Sequence, residues 1–157
     1  MRISSRCSLA LHCLLLIAEY GERRKITSEK LAASTGCNAA TARGMMLALK
    51  KAGIISVTRG VGGAHLLREP GEITVWDVFR AVEPDGLDKL IGIHPKPSEI
   101  CPVGKRIEAV LTETYVGIED AVQRSMQEIT LADVQERFHE LRRRQRAAAG
   151  EGAPQQA

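Results

Sequence analysis

The spacing of apolar and polar positions predicts a helical start to the chain. Apolar residues dominate 9–20 around most of a helical circumference, which indicates a first helix that is largely buried. Thr27 and Ser28 are suitable N-caps for a short second helix. The sequence Thr35-Gly36-Cys37 predicts a tight turn after that helix, because glycine tolerates the left-handed conformation of such turns.

The pattern then changes from a helical period to a strand period. Asn38 is an N-cap for a third helix over 39–52, which Gly53 ends. Residues 54–58 and 64–68 are predicted to be strands. The glycine-rich segment between them, 59–63, makes the pair a β-hairpin.

Two Thr-x-x-Asp motifs mark further helix starts. The first, Thr74 to Asp77, is a capping box that opens a short helix ending near residue 82. Residues 84–101 contain three prolines and two glycines, which predicts a linker or an irregular loop. The second motif, Thr130 to Asp133, begins a helix that ends in a run of arginines at 142–144.

Between the loop and the second motif, the sequence predicts a long helix from 102 to about 127. Such a helix is ~39 Å long at ~1.5 Å per residue, which is too long for a small domain to bury. Its apolar positions recur at steps of three and four, and this narrow seam predicts that a second copy of the helix covers it. The expected dimer contacts are Val103, Ile107, Leu111, Tyr115, Ile118 and Val122.

Two helices joined by a short turn and followed by a hairpin form a winged helix-turn-helix. The predicted fold is therefore mainly α with a small β-hairpin wing. It divides into a DNA-binding domain over 1–83, a linker over 84–101, dimerisation helices over 102–146 and a disordered, Ala/Gly/Gln/Pro-rich tail over 147–157.

The distribution of charge agrees with DNA as the partner. The net charge is only +3, but residues 1–68 contain 11 Lys and Arg against 3 Asp and Glu. Such a basic half fits a polyanion, because phosphate contacts supply most non-specific affinity for DNA. The expected DNA contacts lie at the starts of the second and third helices, along the third helix and on the wing: Thr27, Ser28, Asn38, Ala39, Ala40, Thr41, Arg43, Lys50, Arg59, Gly60, Val61, Gly62, Gly63 and His65.

Other classes of function find little support in the sequence. The chain has no G-x-S-x-G motif and no phosphate-binding loop, and its four histidines are isolated, so no enzyme is indicated. The apolar run near the N-terminus contains His12 and lacks a signal-peptidase site, which predicts a cytoplasmic protein with no membrane partner. Cys7, Cys13, Cys37 and Cys101 are too few and scattered for a disulfide framework.

Two blocks of sequence resemble a known family. Residues 59–67 read RGVGGAHLL and residues 72–83 read EITVWDVFRAVE, and both resemble the Rrf-type winged helix-turn-helix regulators, the family of IscR, NsrR and CymR. The segments IHPKP and CPVG further resemble a clusterless, YwnA-like branch of it. The family's wing usually has Pro and Tyr where this chain has Val61 and His65, so wing contacts are expected to differ in detail.

The resemblance implies a dimer that reads a palindromic operator with two winged domains. Cluster-bearing members place three cysteines in the segment that here runs from 83 to 106, where only Cys101 occurs. An iron–sulfur cluster needs about four ligands, so we expect neither a cluster nor another metal. Cys101 precedes Pro102 at the expected N-cap of the long helix, where its thiolate would be stabilised; a sensor of oxidants and a passive helix cap are both open readings.

The sequence thus predicts a DNA-binding transcriptional regulator, a repressor in preference to an activator, acting as a homodimer. The alternatives are a protein-interaction module and an architectural DNA binder without sequence preference. Target genes, effector and the role of the basic run at 142–146 are not encoded in any recognisable motif.

Overall fold

A computed structural model describes residues 4–58, 63–87 and 90–149. It contains six α-helices and one two-stranded antiparallel sheet in this part of the chain, which confirms the mainly α fold with a β-hairpin wing. In chain order these are α1 (Arg6–Tyr20), α2 (Ser28–Thr35), α3 (Ala39–Lys51), β1 (Ile55–Val57), β2 (Ala64–Leu66), a short 3₁₀ helix (Pro70–Glu72), α4 (Val75–Val82), α5 (Gly104–Glu128) and α6 (Leu131–Ala148).

The helix-turn-helix is held by the caps that the sequence predicts. The Thr27 hydroxyl accepts a hydrogen bond from the Lys30 N–H at 3.4 Å, and the Asn38 side chain accepts one from the Thr41 N–H at 2.8 Å. Gly36 lies between the two helices with φ of 74°, a left-handed conformation that glycine adopts at little cost. Capping and turn chemistry thus fix where α2 ends and α3 begins.

The hairpin is supported by a third extended segment. Ser56 lies opposite His65 in the register of β1 and β2. On the other edge of β2, the Ala64 N–H donates to the Ile26 carbonyl at 3.0 Å. Gly63 lies so close to this segment that a Cβ atom on it would be 2.8 Å from the Ile26 nitrogen. The base of the wing is therefore packed backbone against backbone.

One aliphatic core unites the N-terminal elements with the start of α6. Its fully buried members include Leu14 from α1, Leu49 from α3 and Val78 from α4. Leu131, the first residue of α6, is also fully buried. The core is therefore larger than the winged domain predicted from the sequence, since it includes a residue from beyond the long helix.

The connection between α5 and α6 pairs with the segment before α4. Thr74 and Thr130 form an antiparallel bridge. The Val75 N–H donates to the Ile129 carbonyl and the Leu131 N–H donates to the Ile73 carbonyl, both at 2.8 Å. Both Thr-x-x-Asp motifs form capping boxes, as predicted, and this bridge brings them side by side.

Helix α6 then crosses the end of α1. His139 Nε2 lies 2.7 Å from a carboxylate oxygen of Glu19, and the Gln135 side chain donates to the same oxygen at 3.2 Å. Helix α6, which was predicted to be one of the dimerisation helices, packs on the winged domain of its own chain.

Some predicted boundaries differ from those observed. Helix α1 begins at Arg6 and α6 continues to Ala148, so the first residues of the predicted disordered tail are helical; the rest of that tail lies outside the described residues. Helix α5 begins at Gly104, two residues later than predicted. The Pro102 carbonyl accepts from the Arg106 guanidinium. The Arg106 N–H donates to the Val103 carbonyl, whereas in a regular α-helix from residue 102 it would donate to the Pro102 carbonyl.

None of the helices in the described ranges is both long enough and apolar enough to cross a membrane.

The close contact at Gly63 gives a stability prediction. Gly63→Ala places a methyl group 2.8 Å from the Ile26 nitrogen, so the wing or the 25–27 segment must shift. We expect a loss of about 1–3 kcal/mol in the free energy of unfolding, measured by urea denaturation. Gly71→Ala is the matched control, since nothing lies within 4 Å of its added Cβ. Equal stability of the two variants would contradict the packing described here.

Candidate nucleic-acid interface

Helix α3 has a buried face and an exposed face. Ala42, Met45, Met46 and Leu49 are buried in the core. The opposite side, at steps of three and four residues, exposes Ala40, Arg43, Leu47 and Lys50. Small residues at the N-terminal end, with a cation and an apolar side chain one turn apart, suit a helix that enters a major groove of DNA.

The exposed face of α3 forms one wall of a groove of about 460 Å³. The segment before α2 and the base of the wing form the other walls. Three cations contribute to the lining, and apolar side chains lie between them. The residues around the groove are Lys25, Ile26, Thr27, Ser28, Arg43, Met46, Leu47, Lys50, Val57, Thr58 and Gly63. The structure therefore brings together the start of α2, the recognition helix and the wing.

One carboxylate lies close to these cations. Hydrogen bonds from its own backbone N–H and from the Thr27 and Ser28 hydroxyls lower the pKa of Glu29, with a smaller contribution from the charge of Arg43. The side chain is therefore ionised at neutral pH. It stabilises the N-terminus of α2 and reduces the positive charge beside Arg43.

The predicted contacts that lie within the described ranges divide into three groups. Thr27, Ser28, Arg43, Lys50 and Gly63 line the groove. Asn38, Ala39, Ala40 and Thr41 lie at the N-terminal end of α3, with Asn38 occupied as its cap. His65 is separate: it lines a different depression, between the end of α1 and the 3₁₀ helix. Arg59, Gly60, Val61 and Gly62 lie outside the described residues.

Six residues of the groove were not predicted from the sequence, namely Lys25, Ile26, Met46, Leu47, Val57 and Thr58. Two of these, Lys25 and Leu47, are exposed and suited to DNA contact. Leu47 is 53% exposed, which is high for a leucine in the middle of a helix. Its position four residues after Arg43 was the available signal, because residues four apart share a helix face. Lys25 lines the groove from the other side, and it is reached only because the 25–27 segment pairs with β2.

Helix α5 presents an unburied apolar side. None of its 25 residues is buried by the described part of the chain. Among the predicted dimer contacts, Val103 is 67% exposed and Ile118 is 40% exposed, while Ile107, Leu111, Tyr115 and Val122 are partly covered. Val110, which is 56% exposed and seven residues after Val103, belongs to the same stripe and was missed.

Cys101 lies before the first turn of α5 and is not its N-cap, because Val103 occupies that position. The side chain is exposed. Hydrogen bonds from the backbone of Gly104 and Val103 nevertheless lower the pKa of the Cys101 thiol. Burial has the opposite effect on Cys13, where it raises the thiol pKa to about 11, with a smaller contribution from Cys37.

The comparisons with known proteins agree with this geometry. Residues 3–137 match the Rrf2 family, described as an iron-dependent transcriptional regulator. A protein described as the HTH-type transcriptional regulator YwnA, from Bacillus subtilis (strain 168), is 36% identical over 132 residues, 84% of this chain and 96% of that protein. The chain belongs to the Rrf2 family. It is a DNA-binding transcriptional regulator and not an enzyme.

Solved structures support the assignment to this family. A crystal structure described as that of a DNA-binding protein is 35% identical and has a TM-score of 0.66, covering 83% of this chain and 98% of that chain. The structure of CymR (YrzC), the global cysteine regulator of B. subtilis, is 22% identical with a TM-score of 0.63 and covers 87% of this chain and 97% of that one. At this identity CymR supports the fold alone.

The iron in the family's description can be tested against the residues present. In the described ranges, no three His, Cys, Asp or Glu side chains come together in a way that could hold a metal ion. Cys101 is alone at the start of α5, while Cys13 is buried in α1. A cluster needs about four ligands, so these residues do not fit one.

Proposed function

We propose that the protein is a cytoplasmic homodimer that represses transcription by binding a two-fold symmetric operator. The observation that carries the proposal is the cation-lined groove between α3, the start of α2 and the wing.

Arg43 and Leu47 are the residues assigned to base recognition. Both are exposed on one face of α3, so both reach the floor of a major groove if the helix enters it. A guanidinium donates to the acceptors of guanine, and an aliphatic side chain contacts the methyl group of thymine. Lys25 and Lys50, at the sides of the groove, are placed for phosphates.

The first prediction from this assignment concerns operator selection. Purified, reduced protein is expected to enrich a two-fold symmetric motif from a random DNA pool. On that motif, Arg43→Gln should weaken binding by about 1–3 kcal/mol and relax the preference at one base pair of each half-site. Fluorescence anisotropy with the selected duplex and its single-base variants measures both effects.

Arg124→Gln, an exposed arginine on α5, is the matched control and should bind as the wild type does. Enrichment of no motif by an intact dimer, with binding that depends on salt alone, would identify an architectural DNA binder. The absence of any DNA binding would favour a protein-interaction module.

A second copy of α5 is the proposed cover for the exposed part of its apolar stripe. Val103, Val110 and Ile118 remain 67%, 56% and 40% exposed, although α4 also contacts the helix. Pairing two such helices removes these side chains from water. Each Å² of apolar surface buried in this way stabilises the dimer by about 25 cal/mol. The pairing also relates two winged domains by a two-fold axis, as a palindromic operator requires.

The dimer prediction uses two residues on opposite sides of α5. Ile118→Asp is expected to give a monomer in sedimentation equilibrium, because a carboxylate is placed in the stripe. Val116, which is 49% exposed, is about 200° away around the helix. Val116→Asp should therefore remain a dimer. A dimeric Ile118→Asp protein with wild-type affinity would exclude this helix face as the interface.

We further propose that the protein is regulated through the Cys101 thiol in place of an iron–sulfur cluster. The exposed sulfur and its hydrogen bonds to backbone N–H groups favour a thiolate. In the reaction with a peroxide, the thiolate sulfur attacks one oxygen, the O–O bond breaks, and sulfenic acid and hydroxide (or an alkoxide) are formed. The oxidised sulfur then changes the turn that leads into α5.

This proposal predicts different reactivities for Cys101 and Cys13. The lowered pKa of Cys101 gives a larger thiolate fraction at neutral pH, so its alkylation should slow less than that of an ordinary thiol as the pH falls from 9 to 7. Cys13, with a pKa of about 11, should react slowly throughout this range. Mass spectrometry after timed iodoacetamide labelling measures both. Peroxide should weaken operator binding by the wild type but not by Cys101→Ser. If peroxide weakens binding by both proteins equally, Cys101 is a passive residue.

A further inference from the structure

The last part of α6 carries four arginines, at positions 142, 143, 144 and 146. The guanidinium of Arg142 lies over the Phe138 ring, 5.5 Å from its centroid, and Arg144 pairs with Glu140. Arg143 and Arg146 are exposed and have no ion-pair partner within the described ranges. A single cation in the last turn is enough to complement the helix dipole.

The path of α6 brings this basic end to α1. Gln135 and His139 both contact the carboxylate of Glu19, which lies in the last turn of α1. Burial raises the pKa of Glu19, but the hydrogen bonds from His139 and Gln135 outweigh it and lower the pKa, and Arg142 is close enough to contribute. The arginines therefore follow directly on the part of α6 that packs against the last turn of α1.

That end of α1 adjoins the wing. A Cβ on Gly21, directly after α1, would lie 3.3 Å from the Ala64 carbonyl at the start of β2. The turn that follows contains Arg23 and Arg24, both exposed, against one acid, Glu22. It leads directly to Lys25, which lines the groove beside α3. Basic side chains thus lie in the groove beside α3 and in the turn after α1, and α6 packs against the helical turn that precedes this basic turn.

We propose that the arginine end of α6 is a second DNA contact that binds backbone phosphates on the wing side, outside the base pairs read by α3. The surface suits phosphates, because its long, exposed cations stand at the end of a helix. This inference rests on the proposed function, since it requires a dimer bound to an operator.

The test compares a long duplex with a short one. The selected operator is prepared with ten additional base pairs on each side and also without flanks. The double variant Arg143→Gln/Arg146→Gln is expected to bind the long duplex roughly tenfold more weakly than the wild type at about 0.15 M salt. The slope of log K against log salt should fall by about 0.9 for each lost phosphate contact, four at most in a dimer. On the short duplex the two proteins should bind alike.

The double variant Lys105→Gln/Arg124→Gln removes the same charge from α5 and should match the wild type on both duplexes. Circular dichroism and sedimentation confirm that the variants are folded dimers. An unchanged salt slope for the α6 variant on the long duplex would overturn the proposal and leave the arginines for an acidic protein partner. Equal losses with both duplexes or in both variants would also overturn it. A wild-type protein that binds neither duplex would instead refute the proposed function.

Discussion

The pairing of residues 73–75 with 129–131 is the constraint on which the arrangement of the whole chain depends. It joins the segment before α4 to the connection between α5 and α6 through two backbone hydrogen bonds of 2.8 Å. Ile73 and Leu131 are both fully buried at this point. The pairing adds to the other attachments of α5 to the winged domain, which are its contacts with α4 and the packing of α6 on α1. With it, the orientation of the proposed dimer helix is set by the core of the DNA-binding domain.

The same arrangement separates affinity from specificity on the DNA-binding side. Residues with exposed cations, such as Lys25 and Lys50, lie at the sides of the groove, where phosphates are expected. The apolar Leu47 and the forked donor of Arg43 share the central face of α3. In the proposed complex, the lysines position the protein on the DNA phosphates, and the side chains on the central face of α3 read the bases. The ionised Glu29 reduces the attraction of Arg43 for phosphates, which favours a contact between Arg43 and a base in the proposed complex.

Much of the fold could be predicted because its signals are local. Asn38 caps α3, Gly36 forms the left-handed turn, and both Thr-x-x-Asp motifs form capping boxes, since each depends on residues within one helical turn. The packing of α6 on its own winged domain could not be predicted in this way. It depends on His139 meeting Glu19 across 120 residues, and a polar pair at that separation leaves no periodic pattern.

The candidate site was likewise predictable only where its signals are local. The face of α3 followed from helical periodicity, whereas Lys25 belongs to the groove only through the pairing of Ile26 with Ala64. The start of α5 was misplaced because the Arg106 side chain takes the Pro102 carbonyl that would otherwise continue the helix. Whether a side chain or a backbone N–H binds such a carbonyl depends on three-dimensional geometry. The residue preferences at helix starts do not contain this information.

The two ends of α5 are held in different ways, and this difference bears on regulation. At its C-terminal end the helix is fixed by backbone pairing beside buried Leu131, where the Asp77 and Asp133 carboxylates accept from the N–H groups of the two paired threonines. At its N-terminal end, Gly104 packs so closely on the Ser98 backbone that a Cβ there would be 2.1 Å from the Ser98 oxygen. The exposed Cys101 thiol lies in that same turn. In the proposed regulation, a chemical change at Cys101 acts on the N-terminal end of α5, while backbone pairing holds the C-terminal end against the DNA-binding domain.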